Sequence, residues 1–279
     1  MADRRPAAPT IEAGDIAAFQ ADGVLLLQGV FTEWVDTLRA GIERNMANPS
    51  WRVREYKPDD SPTRFFQDFL VWHWLDEYQD FIFNSPAAAI GAQLMDATAV
   101  RLFHEHVLVK EPGNSVATPW HQDMPYYCLD GQKTCSLWVA LDPVAKDTCP
   151  EYVAGSHLWG KQFRPQRFDG TALTDGDTRE LIPDIDADRS AFDIRSWNIE
   201  PGDAIAFDYS TVHGAPANRH PRRRRAFSLR LVGEDATYAE KGTHSPPFPD
   251  IGLAVGAPLA GDQFPLLWPT QEHASQPPA

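Results

Sequence analysis

The chain has 279 residues, 43% of them hydrophobic, and a formal net charge of −14 from 39 acidic and 25 basic side chains. That length suits one large domain. So acidic a composition argues against nucleic acid or an anionic membrane as a partner, because phosphate binding needs dense Lys and Arg.

Residues 1–9 and 269–279 are rich in Pro, Ala and polar residues and read as flexible tails around a single domain over 10–268. Apolar residues recur at helical spacing over 11–20, and a short strand over 24–27 follows Asp22-Gly23. Thr32 is a natural N-cap for a helix to about Met46, with Trp34, Val35, Leu38 and Ile42 on one face. Residues 48–63 carry Pro, Ser and Asp and read as a loop. The stretch 64–83 is unusually aromatic, and Ser85-Pro86 opens a further helix to about Met95, with Pro at its favoured first position.

After residue 98 the texture changes. Short β-branched and aromatic segments alternate with Pro/Gly turns at 99–109, 118–123, 134–141, 151–153, 197–199, 204–208 and 225–232. A polar, Asp-rich stretch over 160–196 reads as a long loop over one rim. The expected fold is mainly β: a barrel or sandwich with an N-terminal helical part packed on it. Cys128, Cys135 and Cys149 form no disulfide framework and no paired zinc spacing. The N-terminus lacks the apolar core of a signal peptide, and no apolar run is long enough to span a bilayer. The reading is reduced thiols in a cytoplasmic protein. Nothing in the sequence specifies an oligomeric state.

The most informative element is His121-Gln122-Asp123. In an extended strand, residues two apart share a face about 6–7 Å apart along the backbone, so an imidazole and a carboxylate can reach one ion. A third ligand must come from elsewhere, and His213 follows the turn Pro201-Gly202-Asp203 and the strand 204–208. Two His and one carboxylate on one face of a metal leave positions open, the arrangement of non-heme Fe(II) oxygenases. A rival cluster, His104-Glu105-His106 with Glu111, imitates a cupin metal motif, but its flanking positions 98 and 118 are Thr where that motif wants Gly.

Together, residues 118–123, 135–142 and 149–157, then 201–203, 213–214 and 218–226, resemble the phytanoyl-CoA dioxygenase family of Fe(II)/2-oxoglutarate oxygenases. The opening 19–31, with Asp22-Gly23 and Gly29-Val30-Phe31, resembles that family too. The resemblance implies a double-stranded β-helix, a cupin-like jelly-roll barrel. It implies iron held by His121, Asp123 and His213, with 2-oxoglutarate and O2 as co-substrates. It also implies that Arg224, eleven residues after His213, grips the distal carboxylate of 2-oxoglutarate, with Arg225 in reserve. An Arg fork suits that task because it matches a carboxylate bidentately and keeps its charge when buried. Trp138 and Phe103 match positions beside the co-substrate. Relatives often carry a Ser two residues after the second His, where this chain has Ala215; Ser228 is the replacement. Gly155-Ser156-His157 reads as support for the barrel. Related halogenases replace the carboxylate of the triad with a small residue, so Asp123 points to hydroxylation or desaturation of an aliphatic C–H bond in a small molecule. The aromatic segment 64–83 is expected to roof the pocket, and Trp51, Tyr126 and Tyr127 to line it. The alternatives are a cupin-type isomerase using His104 and His106, or a barrel that binds small molecules without chemistry.

Overall fold

In the computed structural model, residues 9–59, 61–167 and 170–269 are described. The expected flexible tails therefore fall almost wholly outside the described residues. Helix α1 (Ala13–Asp22) ends at Gly23, whose φ of +70 is a left-handed cap that glycine adopts without steric cost. Strand β1 (Val24–Leu27) follows. Thr32 opens a short 3₁₀ turn and makes no side-chain cap; its hydroxyl donates to the Gly29 carbonyl, and helix α2 (Val35–Ala47) begins after that turn. The expected loop at 48–63 contains a strand, β2 (Arg54–Tyr56). The aromatic stretch divides into strand β3 (Phe65–Phe69) and helix α3 (Asp76–Asn84), and α4 (Ala87–Met95) follows Pro86.

The remaining strands are β4 (Val100–Lys110), β5 (Thr118–His121), β6 (Leu129–Asp130), β7 (Thr134–Ala140), β8 (Glu151–Val153), β9 (Ile194–Arg195), β10 (Ala204–Phe207), β11 (His213–Ala215), β12 (Arg224–Gly233), β13 (Thr237–Tyr238) and β14 (Leu266–Trp268). The major antiparallel sheet runs β1-β10-β7-β12-β4-β3-β2, with β14 also paired to β4, and the minor sheet runs β5-β11-β8-β9. This is the expected jelly roll. Residues 197–199 form no strand; Ile199 makes only an isolated bridge to Val144.

Alternation sorts the major sheet into two faces. On β12, Phe227, Leu229 and Leu231 face the helices and join a core with Leu38, Ile42, Tyr78 and Phe81. The Phe227 ring lies 4.7 Å from Tyr78 and 5.5 Å from Phe81. Burying such a ring contributes about 1.5–3 kcal/mol. Gly41 permits that approach, since a Cβ there would sit 2.5 Å from the Tyr78 ring. Residues 224, 226, 228 and 230 occupy the other face, inside the barrel. Pro201-Gly202-Asp203 fastens the N-terminal segment to β10: Asp203 accepts N–H bonds from Gly29 at 2.7 Å and Glu200 at 2.9 Å. All three cysteines are free and buried. No helix among the described residues is long and apolar enough to cross a membrane.

Candidate metal centre and active-site cavity

Strands β5 and β11 are antiparallel neighbours, and His121 stands directly opposite His213. Their ring centroids are 4.2 Å apart. Asp123 follows in the turn after β5, with one carboxylate oxygen 3.6 Å from His121 Nε2. One donor atom from each of His121, Asp123 and His213 lies within 4.8 Å of the others, and among the described residues this is the only such group of three.

The donor chemistry fits a divalent metal. His121 Nδ1 is 2.8 Å from the Pro119 carbonyl, and His213 Nδ1 is 2.9 Å from the Thr211 carbonyl. A carbonyl only accepts, so each Nδ1 carries the proton and each Nε2 keeps a free lone pair. Burial, with His121 nearby, pushes His213 down to about 3, so its ring is neutral as a ligand must be. Burial would raise the Asp123 carboxyl, but Arg230, His121 and His213 hold it well below the usual carboxylate range. Arg230 Nη2 donates to Asp123 Oδ2 at 3.2 Å, leaving Oδ1 for a metal, and Arg230 Nε donates to the Tyr127 hydroxyl at 3.0 Å.

Neighbouring turns hold these ligands in place. Gln122, between the two ligands of the triplet, donates to the carbonyls of Lys161 and Ser210 and accepts from the Phe163 N–H. Ser156 Oγ accepts from the Val212 N–H at 2.8 Å, and Thr211 Oγ1 donates to the Gly23 carbonyl at 2.8 Å. The turn 155–157 thus braces the approach to His213.

The triad opens into a cavity of about 840 Å³. Arg224, Trp138 and Ala215 line it. Arg225 faces the opposite side, where Asp142 and Glu43 occupy its guanidinium. Ser228 is buried between Trp138 and His106 in the sheet register, and its hydroxyl has no partner among the described residues. Phe103 is not at the cavity wall. The β4–β12 register slips between Arg230↔His104 and Leu231↔Leu102, leaving Phe103 as the extra residue of a bulge. Its ring packs instead with Tyr127, Phe248 and Phe264. Trp51 is 73% exposed and does not line the cavity, whereas Tyr126 and Tyr127 do. Of the aromatic stretch, Phe65 and Phe69 reach the cavity; Phe66, Trp72, Tyr78 and Phe81 belong to the helix-packed core.

The cupin-like cluster does not assemble. His106 Nε2 bonds Gln67 Oε1 at 2.9 Å, Glu105 points toward the helices and accepts the N–H groups of Val71 and Trp72, and Glu111 pairs with Arg223. Burial pushes His104 down to about 3, so it is neutral.

Sequence reasoning passed over Arg230 and Lys110. Both were readable: Arg230 continues the inward alternation 224, 226, 228, and Lys110 continues 104, 106, 108. Lys110 stands opposite Arg224 in the register. Lys110 donates to the Pro216 carbonyl at 3.1 Å, and Arg224 donates to the Thr148 carbonyl. No carboxylate pairs with either among the described residues. Burial, and then Arg224, pushes Lys110 well below the ordinary lysine range; burial pushes Arg224 down to about 10.

Comparison with known proteins agrees with this architecture. The dioxygenase lolE1 of Epichloe uncinata is 25% identical over 265 residues, which cover 86% of this chain and 92% of that protein. Among solved structures, the non-heme alpha-ketoglutarate-dependent carbocyclase SnoK from nogalamycin biosynthesis superposes with a TM-score of 0.77 at 23% identity, covering 94% of this chain and 99% of that one. The epimerase SnoN, in complex with Fe3+, alpha-ketoglutarate and nogalamycin RO, gives 0.72 at 24% identity, covering 91% and 97%. At these identities the structures speak to the shared fold. The family profile for phytanoyl-CoA dioxygenase (PhyH) matches residues 19–226, and the chain belongs to that family of 2-oxoglutarate-dependent non-heme iron enzymes.

Proposed function

We propose that this enzyme hydroxylates or desaturates an aliphatic C–H bond of a small-molecule metabolite, with His121, Asp123 and His213 as the ligands of Fe(II). When bound there, the ferrous ion would supply the coupling of O2 reduction to oxidative decarboxylation of 2-oxoglutarate, so that substrate, O2 and 2-oxoglutarate become succinate, CO2 and either an alcohol or an alkene plus water. The observation that carries this reading is the pairing of two features in one cavity: three convergent donors, and two buried basic side chains, Arg224 and Lys110, with no carboxylate partner among the described residues.

The chain's own groups have definable tasks. Two Nδ1–H···O=C bonds fix the imidazoles in the metal-binding tautomer. Arg230 restrains one oxygen of Asp123. Arg224 and Lys110 offer a basic seat for the distal carboxylate of 2-oxoglutarate, and Trp138 lines the same cavity. The 840 Å³ cavity is at the upper part of the range for small-molecule sites and leaves room for a second ligand beside the co-substrate. Residues 163–167 line the cavity on the loop side, where they would limit access of bulk water to the reacting carbon.

The test is anaerobic addition of Fe(II) and 2-oxoglutarate. A weak visible charge-transfer band is expected in the parent protein and none in Asp123→Ala. Folded, metal-loaded parent protein without that band would falsify this reading.

A further inference from the structure

Of the charged side chains lining the cavity among the described residues, one is acidic, Asp123, and six are basic: Arg54, Lys110, Arg164, Arg167, Arg224 and Arg230. This bias runs against a chain of net charge −14. Most of the six have tasks. Arg230 is bound to Asp123, and Lys110 and Arg224 form the co-substrate seat proposed above. Arg167 donates to the carbonyls of Ala172 and Leu173 and closes its own turn. Arg164 sits in the field of Asp177 with its buried Nε unpartnered among the described residues, on the loop and not on the sheet wall. Arg54 is left, half-buried, with no carboxylate partner among the described residues.

Arg54 belongs to a constructed patch. It stands opposite Gln67 in the β2–β3 register, so their Cβ atoms are roughly 4.5–5.5 Å apart. Its guanidinium carbon lies 5.2 Å from the centre of the Phe69 ring. Phe69 in turn stacks on His106, centroids 4.0 Å apart and planes 27° apart. His106 Nε2 donates to Gln67 Oε1 at 2.9 Å. That bond fixes the amide: its oxygen is engaged, and its NH2 group is the free edge, buried and without a partner among the described residues. Gln67 is 4% exposed and lines the cavity. The patch therefore presents a guanidinium fork and an amide donor side by side. Phe65, Phe69 and Leu108 supply an apolar surround.

Two adjacent donor groups beside an aromatic wall match a planar group with two acceptor oxygens. We propose that Arg54 and Gln67 form the specificity subsite for the primary substrate, and that this substrate is a carboxylic acid with an apolar or aromatic body. The inference rests on the 2-oxoglutarate reading, which assigns Arg224 and Lys110 to the co-substrate. A carboxylate fits better than a phosphate, because the patch offers one cation and one neutral donor, not the several cations that a dianion favours.

The test uses the anaerobic protein loaded with Mn(II) and 2-oxoglutarate. A set of aryl and alkyl carboxylic acids, each paired with its methyl ester and with a phosphate of matching body, is screened by thermal shift. Hits are followed with Fe(II) and O2 for stimulated succinate release. Acids are expected to bind in preference to their esters. Arg54→Met and Gln67→Leu should each weaken the best acid at least tenfold and raise its KM, while Arg54→Lys restores part of the loss. Both variants should keep the Fe(II)–2-oxoglutarate charge-transfer band with an unchanged half-saturating 2-oxoglutarate concentration. Equal binding of acids and esters, stronger binding of phosphates, no binding of any acid, or unchanged acid affinity in Arg54→Met would each overturn the subsite. Failure of the 2-oxoglutarate reading is separately visible as absence of the band in the parent protein.

Discussion

Arg230 is the residue on which the metal site's charge balance turns. It and Asp123 are 5% exposed and share a hydrogen bond at 3.2 Å. Breaking a buried pair by removing one partner costs about 3–5 kcal/mol, because the other charge is left without compensation. Arg230→Met should lower the stability of the metal-free protein by about that amount in urea denaturation. It should also weaken Fe(II) by roughly 10–100-fold in chelator competition, the usual effect of losing a partner of a metal ligand. Arg224 and Arg225 make a paired comparison. Among the described residues Arg224 faces the cavity with only a carbonyl partner, while Arg225 is engaged by Asp142 and Glu43 outside. Arg224→Ala should raise the 2-oxoglutarate concentration needed for the charge-transfer band by about 30-fold or more, in line with a loss of 2–5 kcal/mol for a buried charged hydrogen-bond partner. Arg225→Ala should leave it nearly unchanged and act on stability instead. A comparable response of the two variants would remove the distinction between the faces.

At the scale of elements, β4 carries different duties on its two sides. His104, His106, Leu108 and Lys110 face the cavity, whereas Glu105 faces the helices and receives the N–H groups of Val71 and Trp72. Burial pushes the Glu105 carboxyl up to about 8 from an ordinary 4.5. Between those values the folded chain holds a proton that the unfolded chain releases, so stability falls as pH rises through that window. Glu105→Gln should flatten the decline of Tm between pH 5 and 8, measured by calorimetry against the parent. The turn at Gly202 makes a second case. Its φ is +94, and a Cβ there would meet the Thr32 backbone at 2.5 Å. Gly202→Ala should destabilise by about 1–3 kcal/mol, the range for a residue forced into a sparsely allowed conformation, because neither the turn nor the Thr32 backbone can move independently of β10.

Much of this architecture was legible in the residues. The β1 and β8 ranges follow their patterns to the residue, and β12 follows its alternation closely, since strands buried on one or both faces leave a plain hydrophobic record. What was missed has physical reasons. Strand β2, Arg-Glu-Tyr, is short, polar and at a sheet edge, so it lacks the apolar run that marks a strand. The bulge that displaces Phe103 leaves no local signature, because its cause is the register against β12. Alternation along β12 and β4 puts Arg230 and Lys110 on the inner face, yet a cation at the end of an apolar strand is ordinarily exposed, so the sequence alone does not single them out as cavity residues.

For the molecule as a whole, the three proposed metal ligands come from two remote stretches of chain that meet only when β5 pairs with β11. Metal and co-substrate therefore bind the folded state and not the unfolded one. At one hundred times its Kd, a ligand of this kind adds about 2.7 kcal/mol. Mn(II) with 2-oxoglutarate should raise Tm by several degrees in the parent and by nothing measurable in Asp123→Ala.

The Tyr126 hydroxyl both donates to the Gln166 carbonyl at 2.7 Å and accepts from its N–H at 2.9 Å, while the Tyr126 ring meets His121 edge-on with centroids 5.9 Å apart. The outer segment is thus tied to the triad's surroundings through Tyr126, the Gln122 strut and the Trp120–Asp186 hydrogen bond, and it contributes none of the three proposed metal ligands. A substitution in that loop is therefore expected to be felt at His121 through Tyr126 while leaving the three proposed ligands themselves in place.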